Sequence, residues 1–133
     1  MTNTADLIRA LNAHLDEFEL PAMASVRASA YTSQLTVQLP TGAPSTIARG
    51  LLAWADTLTE ITTEAWRDPH SDGVHLSVTG LLPEDVTVEI YGALPITGHG
   101  TGADLAPGAT TTVTLATLRS LATPGHATDE VAL

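Results

Sequence analysis

Residues 73–91 read GVHLSVTGLLPEDVTVEIY, two runs in which valine, leucine and isoleucine alternate with polar side chains. Pro83 and the acidic residues after it lie between the two runs and favour a reversal of the chain. A period of two is typical of strands that bury one side only. The stretch therefore predicts an antiparallel pair of strands with one apolar and one polar face.

Two similar patterns lie upstream of this pair. Residues 25–30 alternate with Val26 on the apolar side, and residues 34–39 alternate after a short turn. Because the connection is so short, we expect these two strands to pair antiparallel. Residues 61–67 are rich in β-branched and aromatic side chains, which predicts another strand.

Three segments have helical spacing instead. Apolar residues recur on one side of residues 4–18 and 44–59, and either Asn3 or Thr4 is suited to cap the first helix. A shorter helical pattern lies at 113–121, where Thr114 is suited to cap the helix. The predicted order is helix, two strands, helix, three strands, loop and helix.

This order predicts an α+β two-layer sandwich, in which one antiparallel sheet of about five strands carries the helices on one face. We expect residues 1–122 to form a single domain and residues 123–133 to form a frayed tail. The loop at 92–109 is rich in glycine and proline, and loops of that length are either functional or mobile.

The composition excludes several kinds of chemistry. The chain has 133 residues, no cysteine, and five basic residues that are all arginine, against fifteen acids. Without cysteine there is no thiol nucleophile or cysteine-ligated metal, and without lysine there is no Schiff-base or P-loop chemistry. A formal charge of -10 disfavours nucleic-acid binding, which depends on cationic side chains.

The location of the protein is predicted from what the chain lacks. Its apolar stretches are shorter than the roughly 20 residues needed to cross a bilayer. The first residues, MTNTADLIRA, have neither the basic start nor the apolar centre of a signal peptide. We therefore expect a cytoplasmic protein with no membrane partner, and no feature of the sequence calls for a cofactor.

Four possible metal ligands, Asp68, His70, Asp72 and His75, lie within eight residues. The spacing of His70 and Asp72 resembles part of the H-x-H-x-D-H zinc motif of metallo-β-lactamase-fold hydrolases. That resemblance implies a metal-dependent hydrolase, although Asp68 stands where the family has its first histidine. The same residues are typical of a turn that leads into a strand, and we favour that interpretation.

The polar side of the strands predicts a second candidate site. If the alternation holds, these side chains share one face of the sheet, away from the helices, which we call the open face. The residues of this predicted interaction face are Arg27, Thr36, Gln38, Trp66, His75, Ser77, Thr79, Glu89 and Tyr91. Such a face, or a strand edge, can bind another protein, and it can equally be a solvated surface.

Our first hypothesis is a small acidic, non-catalytic interaction protein, which binds either a second copy of itself or a different protein. One alternative is a metal-dependent hydrolase that uses the cluster at 68–75. Another is a metal-free enzyme in which Glu64, Glu89, His75 and Tyr91 gather on the open face for acid–base chemistry. A further alternative is an acidic mimic that occupies the nucleic-acid site of a basic protein.

Two stretches of the chain carry a broader resemblance. WADTLTEITTEAWR at residues 54–67 and GVHLSVTGLLP at residues 73–83 resemble small accessory proteins encoded on plasmids and prophages of high-GC bacteria. The resemblance implies no particular activity and no site residues. The hypotheses on function therefore depend on the residues discussed above.

Overall fold

A computed structural model describes residues 3–70, 73–95 and 105–123 of the chain. Within these ranges the chain forms three helices and one sheet of six strands. The helices are α1 (Thr4–Glu17), α2 (Pro44–Ala55) and α3 (Leu115–Ala122). The strands are β1 (Ser25–Ser29), β2 (Gln34–Gln38), β3 (Thr59–Arg67), β4 (Gly73–Leu82), β5 (Val86–Pro95) and β6 (Thr110–Thr112). A short 3-10 helix, Pro83–Asp85, connects β4 to β5.

The sheet has the strand order β1-β2-β5-β4-β3-β6. The hairpin of β1 and β2 and the meander of β3, β4 and β5 are antiparallel, as predicted. β2 and β5 are parallel, with Gln34 opposite Thr87, so the prediction of a purely antiparallel sheet is wrong. The alternation of side chains is the same for either direction of pairing, and it therefore does not determine how the hairpin and the meander join.

One face of the sheet forms the core together with the three helices. Alternate residues of β2 and β4 are buried, and the buried side chains form one apolar cluster with residues of α1, α2 and α3. The buried sheet residues of this cluster are Leu35, Val37, Ala65, Val74, Leu76, Val78, Leu82, Val86, Val88, Ile90 and Leu94. Removal of this apolar surface from water is the main driving force for the fold. The α+β class with one buried sheet face is thus confirmed.

The position of α2 depends on a glycine in β5. A Cβ atom added at Gly92 would lie 2.6 Å from Cγ2 of Ile47, which is closer than packed carbon atoms approach. Ile47 is fully enclosed, with 1% of its surface exposed. Glycine therefore allows α2 to pack directly on the buried face of the sheet.

The predicted helix caps are present. The Asp6 backbone N–H donates to Oδ1 of Asn3 at 2.8 Å, and the Asn3 N–H donates to the Asp6 carboxylate at 3.3 Å. The bond from the Asn3 N–H, with the bond from the Arg9 guanidinium, lowers the pKa of Asp6, because both favour the charged carboxylate. At the start of α3, Oγ1 of Thr114 accepts a hydrogen bond from the Thr117 N–H at 3.1 Å.

The edges of the sheet differ from the prediction. Val26 was predicted on the apolar, buried side of its strand. In the structure Val26 is 38% exposed, because β1 lies at the edge of the sheet. On the other edge, β6 pairs with β3, with Thr112 opposite Glu64. This sixth strand was not predicted.

The first four residues of the predicted loop at 92–109 belong to β5, which continues to Pro95 beside β4. Its last part is held at the end of β3, where the Gly108 N–H donates to the Arg67 carbonyl at 2.8 Å. Residues 96–104 lie outside the described residues, and so do residues 124–133 of the predicted tail.

Candidate functional site

The polar residues predicted for the open face lie in adjacent rows across the sheet. One row, across β1, β2, β5 and β4, consists of Arg27, Thr36, Glu89 and Thr79. The next row, across β2, β5, β4 and β3, consists of Gln38, Tyr91, Ser77 and Glu64. In a third row His75 is opposite Trp66. The structure therefore places all nine predicted residues, and Glu64 with them, on the same side of the sheet.

Three rings on this face form a continuous cluster, Trp66, His75 and Tyr91, which we call the aromatic ladder. The centroids of the Trp66 and His75 rings are 5.0 Å apart, and the two planes are nearly perpendicular at 82°. The His75 and Tyr91 rings are 5.5 Å apart and nearly parallel at 8°. Both geometries are favourable for aromatic pairs, so the rings hold one another in place while remaining half-buried.

An open depression of about 350 Å³ lies along the aromatic ladder. Its lining consists of Glu64, Trp66, His75, Ser77, Glu89, Tyr91 and Thr110. Glu64 lies on β3 and Glu89 on β5, with β4 between the two strands. Within the described ranges, neither carboxylate makes a hydrogen bond or an ion pair. The depression is therefore both aromatic and negatively charged.

His75 contacts its neighbours through its ring alone. It packs against Trp66 and Tyr91, and it makes no hydrogen bond with any residue that the structure describes. An imidazole that acts as a general base is usually oriented by a hydrogen bond to an acid. Among the described residues, His75 has no such orienting partner.

The predicted metal ligands lie on two different features. The Asp68 carboxylate accepts a hydrogen bond from the His70 backbone N–H at 2.8 Å, which is typical of a turn. His75 belongs to the aromatic ladder on β4, and Asp72 lies outside the described residues. Across ranges 3–70, 73–95 and 105–123, no group of three or more histidine or acidic side chains could hold a metal ion. The complete four-residue site stays a prediction.

A second cavity, of about 500 Å³, lies between α1 and the start of β5. Its lining consists of Asp6, Arg9, Ala10, Ala13, His14, Glu17, Pro83 and Val86. His14 is only 2% exposed, and its Nε2 atom is 2.8 Å from Oγ1 of Thr57. Its other ring nitrogen is shielded from solvent, so this imidazole is not available to a molecule in the cavity. The depression on the open face differs from this cavity because half-buried aromatic rings line it beside two carboxylates.

Sequence reasoning missed Thr110 as part of the depression. Its signal was the run of threonines at 110–112, which are β-branched and favour a strand. The run lies between the predicted loop at 92–109 and the predicted helix at 113–121, and no strand was predicted there.

Comparison of the chain with protein-family models, curated proteins and solved structures finds no match. Among the described helices, none has the length and apolar character required to cross a bilayer. The functional conclusions below therefore depend on the geometry of the open face.

Proposed function

We propose that the chain is a non-catalytic interaction module that binds another protein through the open face, with the aromatic ladder at the centre of the contact. The supporting observation is the depression along Trp66, His75 and Tyr91, bordered by two carboxylates that have no described partner. Tyrosine and tryptophan are enriched at the centres of protein interfaces, because they bury a large area and lose little conformational freedom.

A different protein is a better partner for this face than a second copy of the chain. A two-fold symmetric contact brings the same patch of both copies together. Such a contact would bring Glu64 and Glu89 of both copies into one interface, in molecules that each carry a formal charge of -10. Like charges at an interface cost binding energy, so the face favours a partner with basic side chains.

Site-specific photo-crosslinking in the producing cell tests this function. A benzophenone side chain at Thr79 lies on the open face beside Glu89, outside the lining of the depression. The matched control carries the same group at Asn12, an exposed position of α1 on the opposite layer. We expect one protein to be captured from position 79 and not from position 12. The product should be lost when Trp66→Ala is added.

Two results would contradict the proposal. Equal capture from positions 79 and 12 would show that the contact is not specific to the open face. No capture from position 79 would show that the open face does not bind a protein in the cell. Capture of the chain by itself would replace the separate partner with a homodimer. Light scattering checks that outcome independently, since we expect the mass of the monomer, 13.8 kDa.

A further inference from the structure

The charge of the depression determines the chemistry of the group that fits it. Glu64 and Glu89 approach it from β3 and β5, and the aromatic ladder lies across β3, β4 and β5. A cation near aromatic ring faces is attracted by their negative potential, and unpaired carboxylates add to that attraction. The depression is therefore suited to an organic cation that can contact rings and carboxylates together.

We propose that the depression is a binding site for an arginine side chain of the partner protein. This inference rests on the proposed function and specifies which residue of the partner is recognised. A guanidinium group is planar, so it stacks on aromatic rings, and its donors point outward along several edges. A guanidinium can thus donate hydrogen bonds to a carboxylate at its edge while its plane remains against an aromatic ring. A lysine ammonium is compact and strongly hydrated, and it matches this arrangement less well.

The arginine on the open face of the chain does not occupy the depression. Arg27 lies on β1 and shares a row with Glu89, with β2 between their strands. Arg27 is exposed, and it pairs with neither Glu64 nor Glu89 in the described structure. Arg27 therefore leaves the depression open to an arginine of another molecule.

Calorimetric titration with three short peptides tests the inference. The peptides are Gly-Gly-Arg-Gly-Gly and two versions in which lysine or citrulline replaces arginine. Citrulline keeps the shape of arginine and removes its charge. We expect the arginine peptide to bind roughly ten-fold more tightly than the lysine peptide, because only guanidinium combines stacking with forked hydrogen bonds. The citrulline peptide should bind more weakly than either.

Variants of the protein locate the binding. Glu64→Gln and Glu89→Gln should each weaken binding of the arginine peptide several-fold, since each removes one carboxylate from the lining. Glu19→Gln, an exposed position after α1, makes the same change in net charge and should leave binding unchanged. Every substitution preserves the size of the side chain, so we expect all three variants to fold normally. Thermal melts check this expectation.

Equal affinities for the arginine and lysine peptides would overturn the inference, and so would an effect of Glu19→Gln as large as that of Glu89→Gln. Absence of measurable binding to the wild-type protein would overturn it as well. The outcome is distinct from that of photo-crosslinking. If position 79 captures a partner while the peptides fail to discriminate, arginine recognition is wrong and the interaction module stands.

Discussion

The His14 imidazole is hydrogen-bonded to the Thr57 hydroxyl, with Nε2 at 2.8 Å from Oγ1. The Thr57 hydroxyl donates its own proton to the Trp54 carbonyl at 2.8 Å, so Nε2 of His14 must be the donor in the pair. Nδ1 is then unprotonated, and it is buried without a hydrogen-bond partner in the described part of the chain. A neutral imidazole therefore joins α1 to the end of α2.

The first prediction concerns the effect of pH on stability. Burial lowers the pKa of His14 from its ordinary value of 6.5, so the unfolded chain binds a proton there more readily than the folded protein. The stabilising effect of the neutral imidazole is complete above pH 6.5 and decreases as the pH falls towards the folded pKa. Urea unfolding at about pH 7.5 and about pH 5 measures this loss.

The matched control for this experiment is His14→Phe, which keeps a ring beside Trp54 and removes the titrating group. We expect the free energy of unfolding of this variant to change less between the two pH values than that of the wild type. A decrease of the same size in both proteins would show that His14 is not responsible for the pH dependence.

The second prediction concerns the contact of α2 with the sheet. Gly92→Ala should lower the free energy of unfolding by about 1–3 kcal/mol, because the added methyl group collides with Ile47. Ile47→Ala alone should cost about 2–5 kcal/mol, since it leaves a cavity in the core. In the double variant the collision is relieved. Its loss of unfolding free energy should therefore be smaller than the sum of the losses in the two single variants. Strict additivity in urea unfolding would contradict a direct contact.

The third prediction concerns the attachment of β6 to β3. Thr63 is buried, and its hydroxyl donates to the Val113 carbonyl, just before α3. Thr63→Val should therefore cost about 1–2 kcal/mol, because a buried acceptor loses its donor. Thr62→Val changes the neighbouring exposed position and should remain within about 0.5 kcal/mol of the wild type. Equal losses in the two variants would contradict an anchoring role for the Thr63 hydroxyl.

Much of the fold could be predicted because patterns of neighbouring residues determine the positions of its strands and helices. The alternation through residues 73–91 specifies which side chains are buried, and Asn3 and Thr114 identify the starts of two helices. Both kinds of signal depend on neighbours along the chain. The open face followed from the same alternation, so its residues could be predicted before their pairing was known.

The remaining features depend on contacts between distant segments. The parallel pairing of β2 with β5 cannot be predicted from alternation, since side chains alternate equally in parallel and antiparallel strands. β6 has only three residues, and beyond its pairing with β3, Thr63 and Val113 are joined by hydrogen bonds between distant parts of the chain. The depression likewise could not be predicted without the register and order of the strands. The register of β3 with β4 brings Trp66 opposite His75, and the strand order places Glu64 and Glu89 on either side of β4.

The central claim is that the open face is a binding surface centred on the aromatic ladder, and the two tryptophan indole groups test it most directly. Trp66 lies in the depression, whereas Trp54, a residue of α2, is completely buried in the core and serves as an internal control. A ¹H–¹⁵N NMR titration with the arginine peptide follows both indole N–H signals. The signal of Trp66 should shift in a saturable manner while that of Trp54 stays in place. Saturable binding that moves Trp54 and leaves Trp66 unchanged would contradict the claim.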